Sequence, residues 1–425
     1  VLALSEAVEQ ARPERRLTIL FIATGGSFAF FATAIGALYL AELSGVPVGF
    51  NFIPFATHPY LQIFGFLAEF VIGVANSILP LFKSKRRESL ALAYSSFVLI
   101  TVANLVILVS ILLNFSGSAF ELAGALILAS SIIFAYETLR ILGRPSKLLG
   151  EAEPFMALSS VTFILLALTL LLQYARAQQE TFSPALIYLS LFGFVGSMIY
   201  GVEHRTIAFR MTKYRKKPAL AGFALQSAAV AAIFLGGVVA GYSGFFEGLG
   251  SVLFLGAAGL VIFSLKIFER RTVTLPIGSK VGNPLIVSPR TIASYSNACM
   301  ISGSSWLLLA CVLGALWVIQ GEGSFAIRDS FIHSAAIGFI GSTIVAFGPV
   351  LLPGVLSKKA PNRNLSLWPL ILLNASLILR VAGNFFPVSY GGTPSLPAWE
   401  SASGILILAS MALLMRSLHL GRGAG

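Results

Sequence analysis

Residues 57–69 read Thr57-His58-Pro59-Tyr60-Leu61-Gln62-Ile63-Phe64-Gly65-Phe66-Leu67-Ala68-Glu69. The stretch opens a long apolar segment with a histidine and reaches a carboxylate about three turns later. At 100° per residue, His58, Gln62, Gly65, Glu69 and Asn76 share one helical face. A polar stripe on so hydrophobic a helix is expected to face protein, a cofactor or water rather than lipid.

The rest of the chain is of the same kind. Of its 425 residues, 56% are hydrophobic and 11% charged, and the mean hydropathy is +0.87. Soluble domains carry about 25% charged residues, so the chain is read as an integral membrane protein. The expected fold is all-α, a polytopic transmembrane bundle of twelve helices forming a single transmembrane domain over residues 1–425. Twelve apolar segments are long enough to cross a core of ~30 Å. They lie at approximately 17–43, 58–82, 89–115, 119–142, 154–175, 183–204, 218–241, 245–268, 293–320, 328–353, 365–386 and 396–419. No cleavable signal precedes the first segment, which is expected to stay in the membrane. No internal repeat stands out.

The net charge of +12 does not point to nucleic acid, because the basic residues sit in short loops between the apolar runs. Lys83, Lys85, Arg86 and Arg87 follow the second segment. Arg140, Arg144 and Lys147 follow the fourth, and Arg205, Arg210, Lys213, Arg215, Lys216 and Lys217 the sixth. Lys266, Arg270, Arg271, Lys280 and Arg290 lie around the eighth loop. Lys358, Lys359 and Arg363 follow the tenth segment. The odd-numbered loops are nearly free of Lys and Arg, with Arg176 and Arg328 as exceptions. Under the positive-inside rule, both termini and the even-numbered loops are expected in the cytoplasm. The setting is then the plasma membrane of a prokaryote, with multiple passes through lipid. Cys299 and Cys311 share one segment, roughly 18 Å apart along a helix, too far for a disulfide within it.

This orientation gives the histidines addresses. His58 and His333 both lie a turn or so inside the outer boundary, on segments that run inward. His204 and His419 sit at cytoplasmic ends. Two imidazoles at matched depth on different helices could be the axial ligands of a haem. Equally, each could be an interfacial residue bonded to backbone or water. Gly341 and Gly348 fall roughly on the His333 side of its helix, and Gly65 lies seven residues after His58. Small residues there admit a flat macrocycle or a neighbouring helix. Arg380, a turn inside the outer boundary, needs a partner. A haem propionate would serve, as would snorkelling to headgroups. Tyr60 and Gln62 flank His58 and could contact a bound haem. Glu69, near the midplane, reads as a proton relay or as a carboxylic acid bonded to Asn104, Asn374 or another polar group. Glu137, Glu203 and His204 read as structural. Trp317 and Trp399 read as interface anchors, and the polar first half of the ninth segment (Tyr295, Asn297, Ser304) as helix–helix hydrogen bonding. There is no phosphate loop, hydrolase elbow or zinc motif.

Three stretches resemble the NnrS family, twelve-span haem- and copper-associated membrane proteins linked to nitric oxide stress. That family is in turn similar to the large subunit of haem–copper oxidases. The stretches are His58 through Phe64-Gly65-Phe66 to Pro80, then Phe331-Ile332-His333-Ser334-Ala335-Ala336-Ile337-Gly338-Phe339-Ile340-Gly341-Ser342, and Leu372-Leu373-Asn374 to Leu379-Arg380-Val381-Ala382. The resemblance implies a subunit-I-like bundle holding one haem b near the outer face. His58 and His333 would bind the iron, with Arg380 on a propionate. The partners it implies are other respiratory subunits, a quinol or an extracytoplasmic redox carrier. Two departures stand out. Tyr60 and Leu61 occupy the family's second His and its Glu, and Pro353-Gly354-Val355-Leu356-Ser357-Lys358-Lys359 replaces its Gly-His-Thr-Gly-Arg. The resemblance therefore does not carry a copper site to this chain.

Two further functions fit the same residues. One is a cofactor-free secondary transporter with Glu69 as its coupling group. The other is a structural membrane subunit that has lost the cofactors.

Overall fold

The computed structural model describes residues 13–45, 57–83, 89–113, 118–143, 152–175, 183–206, 214–239, 243–269, 289–321, 323–355, 365–386, 388–390, 393–395 and 398–419. Every expected apolar segment coincides with a helix. They are α1 (Pro13–Leu43), α2 (Thr57–Lys83), α3 (Leu90–Leu112), α4 (Ser118–Leu142), α5 (Ala152–Ala175) and α6 (Pro184–Thr206). The second half comprises α7 (Lys216–Val238), α8 (Ser243–Leu265), α9 (Pro289–Ile319), α10 (Phe325–His333, Ser334–Gly341 and Ser342–Val355 in succession), α11 (Trp368–Phe385) and α12 (Ser401–His419). Among the described residues, α1 to α11 are long and apolar enough to cross a membrane, while α12 is apolar over the shorter stretch Ser401–Arg416. Large apolar side chains such as Phe30, Leu105, Ile132, Phe263 and Ile405 are exposed. Outward-facing residues of this kind belong to a multi-pass protein in contact with lipid.

Between α11 and α12, Val388–Tyr390 (β1) and Thr393–Ser395 (β2) pair antiparallel, Val388 opposite Ser395 and Tyr390 opposite Thr393. Much of the basic sequence used to orient the chain, including Lys85, Arg86, Arg87, Arg144, Lys147, Arg210, Lys213, Arg270, Arg271, Lys280, Lys358, Lys359 and Arg363, lies outside the described residues.

The chain forms two compact units. One contains Val1–Glu42, Pro47–Gly201 and Gln226–Gly250; the other contains Leu43–Val46, Val202–Leu225 and Ser251–Gly425. In the first, Phe28, Ala32 and Ile35 of α1 bury against Leu61 of α2. At the far end of α2, Lys83 pairs with Glu153 at the start of α5, both side chains buried. In the second, Tyr295 and Cys299 of α9, Val345 and Ala346 of α10 and Leu370, Leu373 and Leu377 of α11 make one core. Cys299 and Cys311 are both free thiols, buried in α9. Trp317, expected at an interface, is buried with its ring 5.9 Å from that of Phe331. Trp399 is exposed.

A pattern recurs in α2, α6 and α10. Each contains eight residues of π-helix: Leu61–Ala68, Leu189–Gly196 and Ser334–Gly341. In each, the fifth and sixth residues are Gly and Phe: Gly65-Phe66, Gly193-Phe194 and Gly338-Phe339. Each glycine packs on the preceding helix, where a side chain would not fit. A Cβ at Gly65 would lie 2.8 Å from Phe28, one at Gly193 2.6 Å from Thr162, and one at Gly338 2.5 Å from Trp306.

The wider π turn loosens the backbone ladder, and a side-chain amide on the following helix meets it. Asn104 Nδ2 donates to the Phe64 carbonyl at 3.1 Å and to Glu69 Oε1 at 3.2 Å. Gln226 Nε2 donates to the Phe192 carbonyl at 2.8 Å and to Ser197 Oγ at 3.0 Å. Glu69 and Ser197 both stand four residues after the glycine. On α11, Asn374 departs from this arrangement: its Oδ1 accepts from Trp306 Nε1 at 2.6 Å and from Ser302 Oγ at 2.9 Å.

Candidate functional site

The two stretches singled out by sequence lie in different units, and each has its own geometry. In the first unit, His58 stands in the opening turn of α2 with Nδ1 2.8 Å from the Ala32 carbonyl. A carbonyl oxygen only accepts, so Nδ1 carries the hydrogen and Nε2 is the basic nitrogen of the neutral ring. The imidazole lies over Gly36 of α1. A Cβ there would come within 2.6 Å of Cε1 and 2.7 Å of Nδ1.

One turn further, Gln62 Nε2 donates to Thr33 Oγ1 at 3.0 Å. Gly65 against Phe28, and Gly73, whose Cβ would be 2.5 Å from Phe21, continue the seam. The stripe beginning at His58 thus faces α1 rather than lipid. Tyr60, two residues from His58, points elsewhere. Its buried ring sits 6.4 Å from Phe64, 6.4 Å from Phe120 and 6.1 Å from Tyr174, in an aromatic cluster of α2, α4 and α5.

Glu69 is fully buried, and its carboxylate turns from α1 to α3. Oε1 accepts from Thr101 Oγ1 and Asn104 Nδ2, each at 3.2 Å. Oε2 has no hydrogen-bond partner among the described residues.

In the second unit the polar groups converge on Asp329. Its two carboxylate oxygens accept from Arg380 Nε and Nη2, both at 2.8 Å. Asn384 Nδ2 adds a third bond at 2.8 Å and also reaches Ser330 Oγ at 3.1 Å. His333, one turn after Asp329 on α10, places Nδ1 2.8 Å from the Asp329 carbonyl and 3.1 Å from Oδ1. As at His58, the hydrogen is therefore on Nδ1. A bidentate arginine–carboxylate pair is strong because the fork fixes the geometry as well as the charge.

Gly383 and Glu400 complete the cluster. Gly383 has no side chain because Glu400, in the short 3₁₀ turn Ala398–Glu400 before α12, fills that place. The small residues on α10 serve helix approach. A Cβ at Gly341 would lie 2.9 Å from Leu373 of α11, while Gly348 has only Leu352 near it, at 3.8 Å. The π turn at Ser334–Gly341 breaks the 100° phase that set both glycines beside His333.

His333 and Arg380 are thus brought together, with Asp329 between them. His204 is buried elsewhere in this unit, Nε2 3.3 Å from Ser264 Oγ. The side chain of His419 lies outside the described residues. Asp329, Asn384 and Glu400 were not selected from sequence as site residues. A signal was present: Asp329 to His333 and Arg380 to Asn384 are both i,i+4 spacings, which put polar pairs on one helix face. Glu400 carried no such signal.

The residues can be compared with what a haem requires. A ligating histidine usually donates its other ring hydrogen to a carbonyl or carboxylate, which fixes its orientation and raises its basicity. Both His58 and His333 carry Nδ1–H on a backbone carbonyl, so each ring fits that requirement through Nε2. Arg380 fits the propionate role less fully: Asp329 takes one hydrogen each from its Nε and Nη2, which leaves the second Nη2 hydrogen and the two on Nη1 as donors. Among the described residues, no group of three or more His, Cys, Asp or Glu side chains is arranged to hold a metal ion.

Residues 286–417 match a family described as a domain of unknown function (DUF8744). The match runs from just before α9 almost to the end of α12 and takes in Asp329, His333, Arg380, Asn384 and Glu400. No curated protein matches the chain.

Proposed function

We propose that the protein is a haem-b-binding integral membrane protein that transfers electrons within a respiratory or nitric-oxide-related membrane complex. His58 and His333 would hold its iron. The observation that carries the reading is the one the two histidines share: each directs Nδ1–H to a backbone carbonyl, the tautomer in which Nε2 carries the lone pair that an iron would need. When bound, the haem supplies reversible one-electron chemistry. The protein holds two half-buried imidazoles in fixed tautomers, with a carboxylate behind one of them. A haem held by two histidines would suit electron transfer rather than catalysis.

The wider setting rests on the sequence. An NnrS-like bundle related to the oxidase large subunit, with both termini in the cytoplasm of a prokaryote, would place the haem near the outer leaflet. The partners implied by that setting would be a quinol, another subunit or an extracytoplasmic carrier.

The test is a reduced-minus-oxidised visible spectrum of protein from haem-replete cells, with His58→Ala and His333→Ala alongside. Sharp b-type bands in the wild type, lost or made high-spin in both variants, are expected. A colourless wild type overturns the reading.

One observation favours a second reading, transport coupled through Glu69. That carboxylate is fully buried beside a π turn, with one oxygen unpartnered among the described residues. A buried acid at a helix irregularity is a common feature of coupling sites. Ion-driven uptake in proteoliposomes, abolished by Glu69→Gln, would establish it. If both assays are silent, the structural-subunit reading stands.

A further inference from the structure

Glu400 is the buried group that neither reading uses. It is fully buried, yet neither carboxylate oxygen has a hydrogen-bond partner among the described residues. The amide oxygen of Asn384, also buried, has none either.

The nearby donors point the other way. Arg380 gives Nε and Nη2 to Asp329, and Asn384 gives Nδ2 to Asp329 and Ser330. The carboxylate of Glu400 is nevertheless seated against α11 at Gly383, three residues from Arg380. The charged groups acting on it are Arg380 of α11 and Asp329 of α10. The closest polar groups in sequence on α12 are the hydroxyls of Ser401 and Ser403.

These charges do not balance with Glu400 ionised. Asp329 and Arg380 already neutralise each other through two short bonds. A further carboxylate in the same buried cluster has no donor and no counter-charge of its own. An ionised group in that position is costly, and the usual resolution is to take up a proton. Arg380 opposes this only in part, since its fork is held by Asp329.

We infer that Glu400 is a proton-binding site that exchanges a proton with water, and that ionised Glu400 competes with Asp329 for Arg380. Proton uptake leaves a neutral acid and an intact Asp329–Arg380 pair. Proton release restores the carboxylate, draws Arg380 toward α12 and loosens the pair that supports His333. Burial pushes the Glu400 carboxyl up to about 7, with Arg380 pulling down and Asp329 pushing up more weakly. The exchange therefore falls within the range where cells operate. The inference stands without a haem, because it concerns side chains of α10, α11 and the turn before α12.

Infrared difference spectroscopy of the full-length protein in lipid tests it. The wild type should show a protonated-carboxyl C=O stretch that disappears as pH rises through about 7. Labelling glutamate with carbon-13 should shift that band, and Glu400→Gln should remove it while any band of Glu69 remains. A band that does not titrate, one that fails to shift with labelled glutamate, or one that survives in Glu400→Gln overturns the inference. The labelling arm uses the wild-type chain, so it decides the matter even if the variant does not fold.

Discussion

Arg380 and Asp329 meet edge to edge, Nε on one carboxylate oxygen and Nη2 on the other, both at 2.8 Å. Both side chains are buried, at 13% and 7% exposed. Removing one partner leaves the other charge uncompensated, which costs about 3–5 kcal/mol, whereas an apolar pair of similar volume can be neutral. Asp329→Leu and Arg380→Met should each lower thermal stability strongly, and the double variant should recover most of the loss. A double variant as unstable as the sum of the singles would show that the pair is not an independent unit.

The fit of His58 into α1 predicts a second result. Gly36→Ala places a methyl group where the imidazole lies. Overpacking of this kind costs about 1–3 kcal/mol. The variant should be destabilised by that order, and any haem spectrum should change with it. Gly26→Ala is the control, since a Cβ there meets nothing within 4 Å. Equal behaviour of the two variants would remove the packing account of His58.

The π turns of α2 and α6 predict paired losses. Asn104→Ala and Gln226→Ala each remove the amide that donates to a π-segment carbonyl. A buried acceptor left without a donor costs about 1–3 kcal/mol. Both variants should lose stability by that order, and Asn104→Ala should in addition free Glu69 Oε1 from one of its two donors. Wild-type melting in both would mean that the carbonyls are satisfied in some other way.

Glu400 sets a pH dependence with a definite sign. Its folded value, about 7, lies above the ordinary carboxyl value of 4.5. The native state therefore holds the proton more tightly than the unfolded chain does. The associated stability is fully present below pH 4.5 and is lost as pH rises through about 7. Wild-type unfolding should become easier across that window, and Glu400→Gln should reduce the slope. An unchanged slope in the variant would assign the effect to another group.

The helices were legible in the sequence because an uninterrupted apolar run of membrane length has few other outcomes. Their ends agree with the reading to within a few residues. For example, 118–142 was legible as 119–142. The face of α2 carrying His58 and Gln62 was also legible, since they are one helical turn apart and Gln62 is only the second residue of the π segment. What followed was harder to read. A constant 100° step cannot carry phase through Leu61–Ala68 or Ser334–Gly341, so the glycines placed beside His333 turned out to face α11 or little else. Arg380 announced its need for a partner but not which one. Asp329 reaches it from 51 residues away in the chain, and periodicity holds no information about such pairings. The recurrence in α2, α6 and α10 was not legible because it rests on a Gly-Phe pair, with an amide from the next helix meeting the π segment in α2 and α6 only, against backgrounds that otherwise differ.

The three π segments also bear on how this protein answers a labelling experiment. Along a regular helix, the reactivity of successive cysteine replacements toward a water-soluble or lipid-soluble reagent rises and falls with a single rhythm. Along α2, α6 and α10 that rhythm would slip once, over the eight residues beginning at Leu61, Leu189 and Ser334, and then resume with a new offset. A scan fitted with one wave would assign the residues on one side of each break to the wrong face, whereas two waves with a break between them would locate the irregularity.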